Sequence, residues 1–149
     1  MKALLIALLL TRPIVPVQIS EVWLAMQKYK FIEEHRLERV QLSCYLPTGY
    51  RTADGTVPYE GVVSSNTEHL GMDCILYDAD LVPYARFECR DIGGNSMLRA
   101  GTAVDVYRDD MDRAWQFIGD HGTWAYIEWI PREEGKEDEE SIEARYEAD

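Results

Sequence analysis

At 149 residues, 46% of them hydrophobic, the chain has apolar material for one core of ordinary size rather than two. Its 27 acidic residues against 15 basic ones give a formal net charge of -12. That excludes the basic footprint of a nucleic-acid binder and disfavours docking on anionic lipid, while a neutral partner such as a glycan is compatible with it.

The chain opens with Lys2 and then eight apolar residues, Ala3 to Leu10. The run is too short to span a bilayer but has the length of a secretory h-region, although no small-x-small cleavage site follows. It reads as a signal or short anchoring segment, with the start of a buried helix or strand as the competing reading. Pro13 and Pro16 end any helix that begins there. Val22, Trp23, Met26, Tyr29 and Phe31 predict a helix over Ile19 to His35, with Ser20 as N-cap, packed on the domain or carrying it as a stalk.

From Leu37 to Leu46 the residues alternate, with Val40, Leu42, Cys44 and Leu46 on one face of a first strand that Pro47 ends. A Gly-, Thr-, Asp- and Pro-rich loop follows, containing the turn Thr52-Ala53-Asp54-Gly55. Gly61 to Ser65 is a strand, Asn66 to Gly71 a loop, and Cys74 to Tyr77 a short apolar strand. After the turn at Asp78 to Asp80, Val82 to Cys89 continues the sheet. In Arg86 to Asp91 the alternation puts Phe87, Cys89 and Asp91 on one side. Gly93-Gly94 turns the chain as a pair free to take positive φ, and Asn95 to Gly101 is a glycine-bearing loop. In the next strand Val104 and Val106 face one way, and Ala103, Asp105 and Tyr107 the other. Asp109 or Asp110 caps a helix near 110–118 with the apolar stripe Met111, Ala114, Trp115 and Ile118, closed by Gly119 and Gly122. Thr123 to Ile130 is the last strand. The tail from Arg132 carries nine acids and three bases, a net -6, and reads as solvated and disordered or as a frayed helix. The organisation is thus 1–36, 37–131 and 132–149, with no visible internal repeat.

Three cysteines, Cys44, Cys74 and Cys89, have no metal-ligand spacing. They read as small buried apolar residues, or as one disulfide plus a free thiol if the protein is exported. The scattered His35, His69 and His121 assemble neither a zinc site nor a nucleophile pair, so no metal or cofactor is expected. His69 is read as an exposed loop histidine, or else as lining a groove. Asp105 is the odd residue in an apolar strand. A carboxylate there is either satisfied by hydrogen bonds or held for chemistry.

The run DIGG…GTAVDVY, with Ser43-Cys44-Tyr45-Leu46-Pro47 and Thr52-Ala53-Asp54-Gly55 upstream, resembles the three-aspartate domain family. That family shares a double-psi β-barrel with the membrane-bound lytic transglycosylase A type and the barwin-like proteins. Its pattern is matched at Ser43 to Tyr45, Thr52 to Gly55, Ser64 to Gly71, Asp91 to Gly94 and Val104 to Tyr107, in order, over roughly Gln41 to Ile130. The resemblance implies a mainly β fold, a six-stranded double-psi barrel with an N-terminal helix and one short helix. It also implies a monomeric peptidoglycan lytic transglycosylase outside the cytoplasm, acting on glycan strands. Asp105 would be the catalytic acid/base and Asp91 its support; apart from the resemblance, the position of the turn leads us to expect backbone amides near Gly93-Gly94 to hold Asp91. Asn66, Ser43, Tyr45, Thr52, Gly93, Gly94 and Tyr107 would line the substrate site. Two positions depart from the family: Asn66 stands where its first aspartate would, and the loop between Asp91 and Asp105 is longer. The first departure leaves open a glycan-binding or phage- or secretion-associated barrel without catalysis.

Such chemistry asks little of the protein. A glycosidic oxygen leaves well only when protonated, and a carboxylic acid with a suitably raised pKa delivers that proton. In peptidoglycan the muramic acid C6 hydroxyl can close on its own C1, so one aspartate can serve as acid and then as base, without a second nucleophile.

Overall fold

The computed structural model describes residues 16–132, which fall into two compact units divided between Arg36 and Leu37. In the first, helix α1 spans Pro16–Glu34. Pro16 opens it, since a proline at the first helical position gives up only an amide without an intrahelical partner, and any earlier helix that it would end lies outside the described residues. Ser20 lies inside α1 and is not its cap. Val22, Trp23, Leu24, Met26 and Tyr29 of α1 are exposed. No helix among the described residues is long and apolar enough to cross a membrane, and Met1 to Leu10 and the acidic tail lie outside those residues.

The second unit is a closed six-stranded barrel: β1 (Glu38–Tyr45), β2 (Val62–Ser65), β3 (Asp73–Tyr77), β4 (Pro83–Ile92), β5 (Ala103–Tyr107) and β6 (Trp124–Ile130), in the order β1-β5-β2-β4-β3-β6. Closure leaves no sheet edge, so every strand satisfies its ladder on both sides. Strands β1 and β5 are parallel, as are β2 and β4, and the other four pairings are antiparallel. Exchanging β1, β2, β3 for β4, β5, β6 reproduces this pairing scheme, parallel for parallel and antiparallel for antiparallel. The barrel therefore has an internal two-fold topology that no sequence repeat betrays.

The interior is filled by alternate residues of every strand, among them Val40, Leu42, Val63, Leu76, Val104, Val106 and Ile127, each at most 1% exposed. Full burial of such a side chain contributes about 1.5–3 kcal/mol. Cys74 and Cys89 belong to the same core and Cys44 is half-buried against it; all three are free thiols, so no disulfide forms. Burial pushes the Cys89 thiol up to about 12 and the Cys74 thiol higher still, which keeps both neutral.

Among its described residues, two helices flank the barrel strands. The glycine-bearing loop holds a short one, α2 (Ser96–Arg99), whose N-cap Asn95 accepts from Leu98 N–H. After β5 comes α3 (Met111–His121), capped by Asp110, whose Oδ1 accepts from Arg113 N–H at 2.8 Å, and ended by Gly122 at φ 78°. Gly119 lies within α3. The helix buries Ala114 and Phe117. Of the expected apolar stripe, Ala114 and Ile118 pack on the core, whereas Trp115 is 68% exposed and Met111 53%.

Candidate active site

Strand register places four polar residues in one line. Ser43 of β1 pairs with Asp105 of β5, Asp105 with Ser64 of β2, and Ser64 with Asp91 of β4. Their strand neighbours Leu42, Val104, Val106 and Val63 fill the interior, so the alternation turns this line to the outer face of the barrel. The barrel's two-fold topology maps the line onto itself, Ser43-Asp105 onto Asp91-Ser64.

Asp91 reaches that face by a β-bulge. Val63 pairs with Cys89 but Ser64 with Asp91, so Arg90 is an extra residue and the side-chain phase flips after it. Phe87 and Cys89 face inward; Asp91 does not join them, contrary to the simple alternation. The bulged Arg90 instead reaches Glu88 and, at 3.0 Å, Asp54.

The Thr52-Ala53-Asp54-Gly55 turn is seated on this bulge. Asp91 Oδ1 accepts from Ala53 N–H at 3.0 Å and from Ile92 N–H at 2.9 Å. The Gly93-Gly94 amides do not hold Asp91: Gly93 N–H donates to Ser65 O. Neither glycine is among the positive-φ residues. Gly93 is needed for space instead, because a Cβ there would overlap Cβ, Cγ and Cδ1 of Leu98. Thr52 is buried, and its hydroxyl donates within the turn, to Asp54 at 2.7 Å and to Thr56 O. Thr52 and Gly93 are both buried. Gly94 has open space where a Cβ would stand.

Asp91 also differs from a proton-sharing partner. With β2 between them, the Asp91 and Asp105 backbones stand about 10 Å apart at ordinary strand spacing, and each carboxylate is bonded elsewhere, Asp105 to Ser43 on the far side of β5 and Asp91 to the Ala53 and Ile92 amides. We expect Asp91→Ala to free the 52–56 turn. Charge-assisted hydrogen bonds contribute about 1.5–3 kcal/mol each, so limited proteolysis should nick the 48–60 loop well below the global melting temperature.

Asp54 accepts from the Thr52 hydroxyl, Thr56 N–H and Arg90. Partial burial opposes its charge, but these hydrogen bonds outweigh it and hold the carboxyl down at about 2. A native value below the unfolded one adds stability above the unfolded pKa, and that stability is lost as pH falls through about 2. The drop in melting temperature between pH 4 and pH 2 should therefore shrink in Asp54→Asn. An identical drop would show that the turn carries no such linkage.

Asp105 itself is half-buried and forms no ion pair among the described residues. Its carboxylate accepts from the Ser43 hydroxyl. Two residues on, Tyr45 and Tyr107 form the next cross-strand pair, with rings edge-to-face at 5.3 Å. The Tyr45 hydroxyl is buried without a partner. Burial, then the charges of Asp91, Tyr107 and Asp105, raise its pKa, so it stays a neutral donor near both carboxylates.

Asn66 stands apart from the line. Its Oδ1 accepts from His69 N–H at 3.0 Å, and its amide lies against Gly101, whose missing Cβ leaves that room. His69 is not a bare loop residue: it stacks on Trp129 at 3.9 Å and bonds Ser65 through Nδ1. Burial lowers its pKa.

Two cavities flank the Asp105 strand. One, of about 290 Å³, lies beneath the Pro47 to Pro58 loop and has Tyr107 in its wall. The other, of about 320 Å³, runs between β1 and α3 and includes Ser43 and Trp115. Asp105 lines neither, and its hydroxyl partner Ser43 is the link to the second. Trp115 has the helical spacing of a core stripe, so sequence reading did not place it in a cavity wall. Among the described residues no group of three His, Cys, Asp or Glu is placed to hold a metal ion. Searches of protein-family models and of curated proteins find no match to this chain.

Proposed function

We propose that the protein is a peptidoglycan lytic transglycosylase built on a barrel of the double-psi type. It would cut the β-1,4 bond between N-acetylmuramic acid and N-acetylglucosamine outside the cytoplasm. The observation that carries this reading is Asp105: an outward-facing carboxyl, outside any described ion pair, whose hydrogen-bond partner is a hydroxyl, whereas Asp91 on the same face is held by two backbone amides. The two parallel pairings and the internal two-fold topology support the barrel type, beside the motif resemblance.

The steps balance within the sugar and one side chain. Protonated Asp105 gives its proton to the glycosidic oxygen as the bond to C1 breaks. The muramic acid C6 hydroxyl attacks C1, its proton passes to the Asp105 carboxylate, and a 1,6-anhydro ring closes with no water consumed. Ser43 orients the carboxyl, and its hydroxyl can donate to the charged form or accept from the neutral one. In this reading Asp91 is a positioning residue that seats the 52–56 turn, not a proton partner.

The second reading, a glycan-binding barrel without catalysis, rests on Asn66. The residue at the family's first aspartate is uncharged here, and its side chain holds the His69 turn. Digestion of purified sacculi separates the two: 1,6-anhydro muropeptides by mass spectrometry are expected from the enzyme, and sedimentation with sacculi but no release from the binder.

A further inference from the structure

The groove between β1 and α3 differs from the rest of the surface in its chemistry. In a chain with 27 acidic and 15 basic residues, none of the residues lining it is charged. Trp115, Met111 and Ile118 supply an apolar wall, and Ser43, Gln41 and Thr123 supply hydroxyl and amide groups on the other side. Trp115 is 68% exposed on a helix that already buries Ala114 and Phe117 in the core. Met111, Trp115 and Ile118 are spaced i, i+4, i+7, so they form a continuous second stripe along α3. Leaving an indole and a thioether in water forgoes burial that fold stability alone would favour.

We infer that this groove is a binding subsite for one neutral N-acetylated hexosamine ring, seated on Trp115 and in line with Ser43 and Asp105. The assignment rests on the transglycosylase reading and names the subsite for it. Four features select the ligand. The absence of charge matches a sugar bearing an acetamide instead of a free amine. A ring with an apolar face and a hydroxyl rim matches an indole opposed by Ser43, Gln41 and Thr123. Its volume of about 320 Å³ lies at the small end of ligand sites, suited to one ring and not to a chain. Finally, Ser43 is shared: it lines the groove and donates to Asp105, so a ring bound there lies next to the acid.

The groove carries its own reporter. Cys44 lines it and is half-buried, whereas Cys74 and Cys89 are fully buried, so alkylation of the native protein should mark Cys44 alone. The probe is the N-acetylglucosamine tetramer, added to the Asp105→Asn protein so that no turnover intervenes. It is expected to slow Cys44 alkylation and to bind with an affinity that Trp115→Ala lowers about ten-fold, the worth of one aromatic stacking contact. Trp115→Phe should restore most of it, and the de-acetylated, cationic tetramer should bind more weakly than the acetylated one. Because Trp115 is exposed, Trp115→Ala should melt close to the parent, which is checked by its thermal transition. Unchanged Cys44 alkylation, or equal affinity in Trp115→Ala, overturns the subsite. Tetramer binding that depends on Trp115, with no anhydro product from sacculi, keeps the subsite and rejects the enzyme. Sacculus cleavage that is unaffected by Trp115→Ala keeps the enzyme and rejects the subsite.

Discussion

Asp105→Asn should abolish release of anhydro muropeptides from sacculi, a loss of about 10²–10⁴-fold for removal of a general acid/base. Its fold should survive, because the carboxyl lies on the outer face and its described bond is to the Ser43 hydroxyl, which an amide oxygen also accepts. The amide cannot deliver a proton to the leaving oxygen or take one from the C6 hydroxyl, so both halves of the cycle fail together. Ser43→Ala separates orientation from proton transfer. It leaves the acid in place and removes the hydroxyl that orients it, so the loss in rate should be smaller. The predicted ranking is thus Asp105→Asn far below Ser43→Ala, with Asp91→Ala reduced only as far as its loosened turn disturbs the site. If Asp105→Asn releases muropeptides at the parent rate, Asp105 has no part in the chemistry.

The strands and their faces were legible because alternation in β1 and β5 is unbroken, and a period of two leaves no other way to bury Val40, Leu42, Val104 and Val106. The outward placement of Asp105 follows from the same arithmetic. Asp91 was misplaced because its strand breaks the period. The bulge at Arg90 flips every later side chain, and a bulge depends on pairing with β2, which no local pattern encodes. The helix α2 lay hidden in the glycine-bearing loop, since four residues are too few for a helical period to show. Trp115 illustrates a different limit. An apolar stripe at helical spacing looks the same whether it faces a core or a groove, and only the placement of α3 against β1 tells them apart. Strand order joins residues far apart in sequence, so Ser43, Asp105, Ser64 and Asp91 become neighbours only through the pairing of β1, β5, β2 and β4.

Gly93→Ala is the substitution expected to cost most stability for the least chemical change. Its φ is not among the positive ones, so the cost is not backbone strain. A methyl group there would overlap Leu98, which is 2% exposed under α2. Turning the Leu98 side chain clears Cγ and Cδ1 but not Cβ, which is fixed to the backbone of α2. The helix must then move, and overpacking of this kind costs about 1–3 kcal/mol. The movement also pulls on the line of polar residues, because Gly93 N–H bonds to Ser65 O just past the Ser64-Asp91 pair. Leu98→Ala alone should cost about 2–5 kcal/mol through the cavity it leaves. In that background Gly93→Ala should cost less than in the parent, since two of the three overlapping atoms are gone. A double-mutant cycle by denaturant unfolding measures this coupling. Equal costs in the two backgrounds would mean that glycine is required at 93 for some reason other than contact with Leu98.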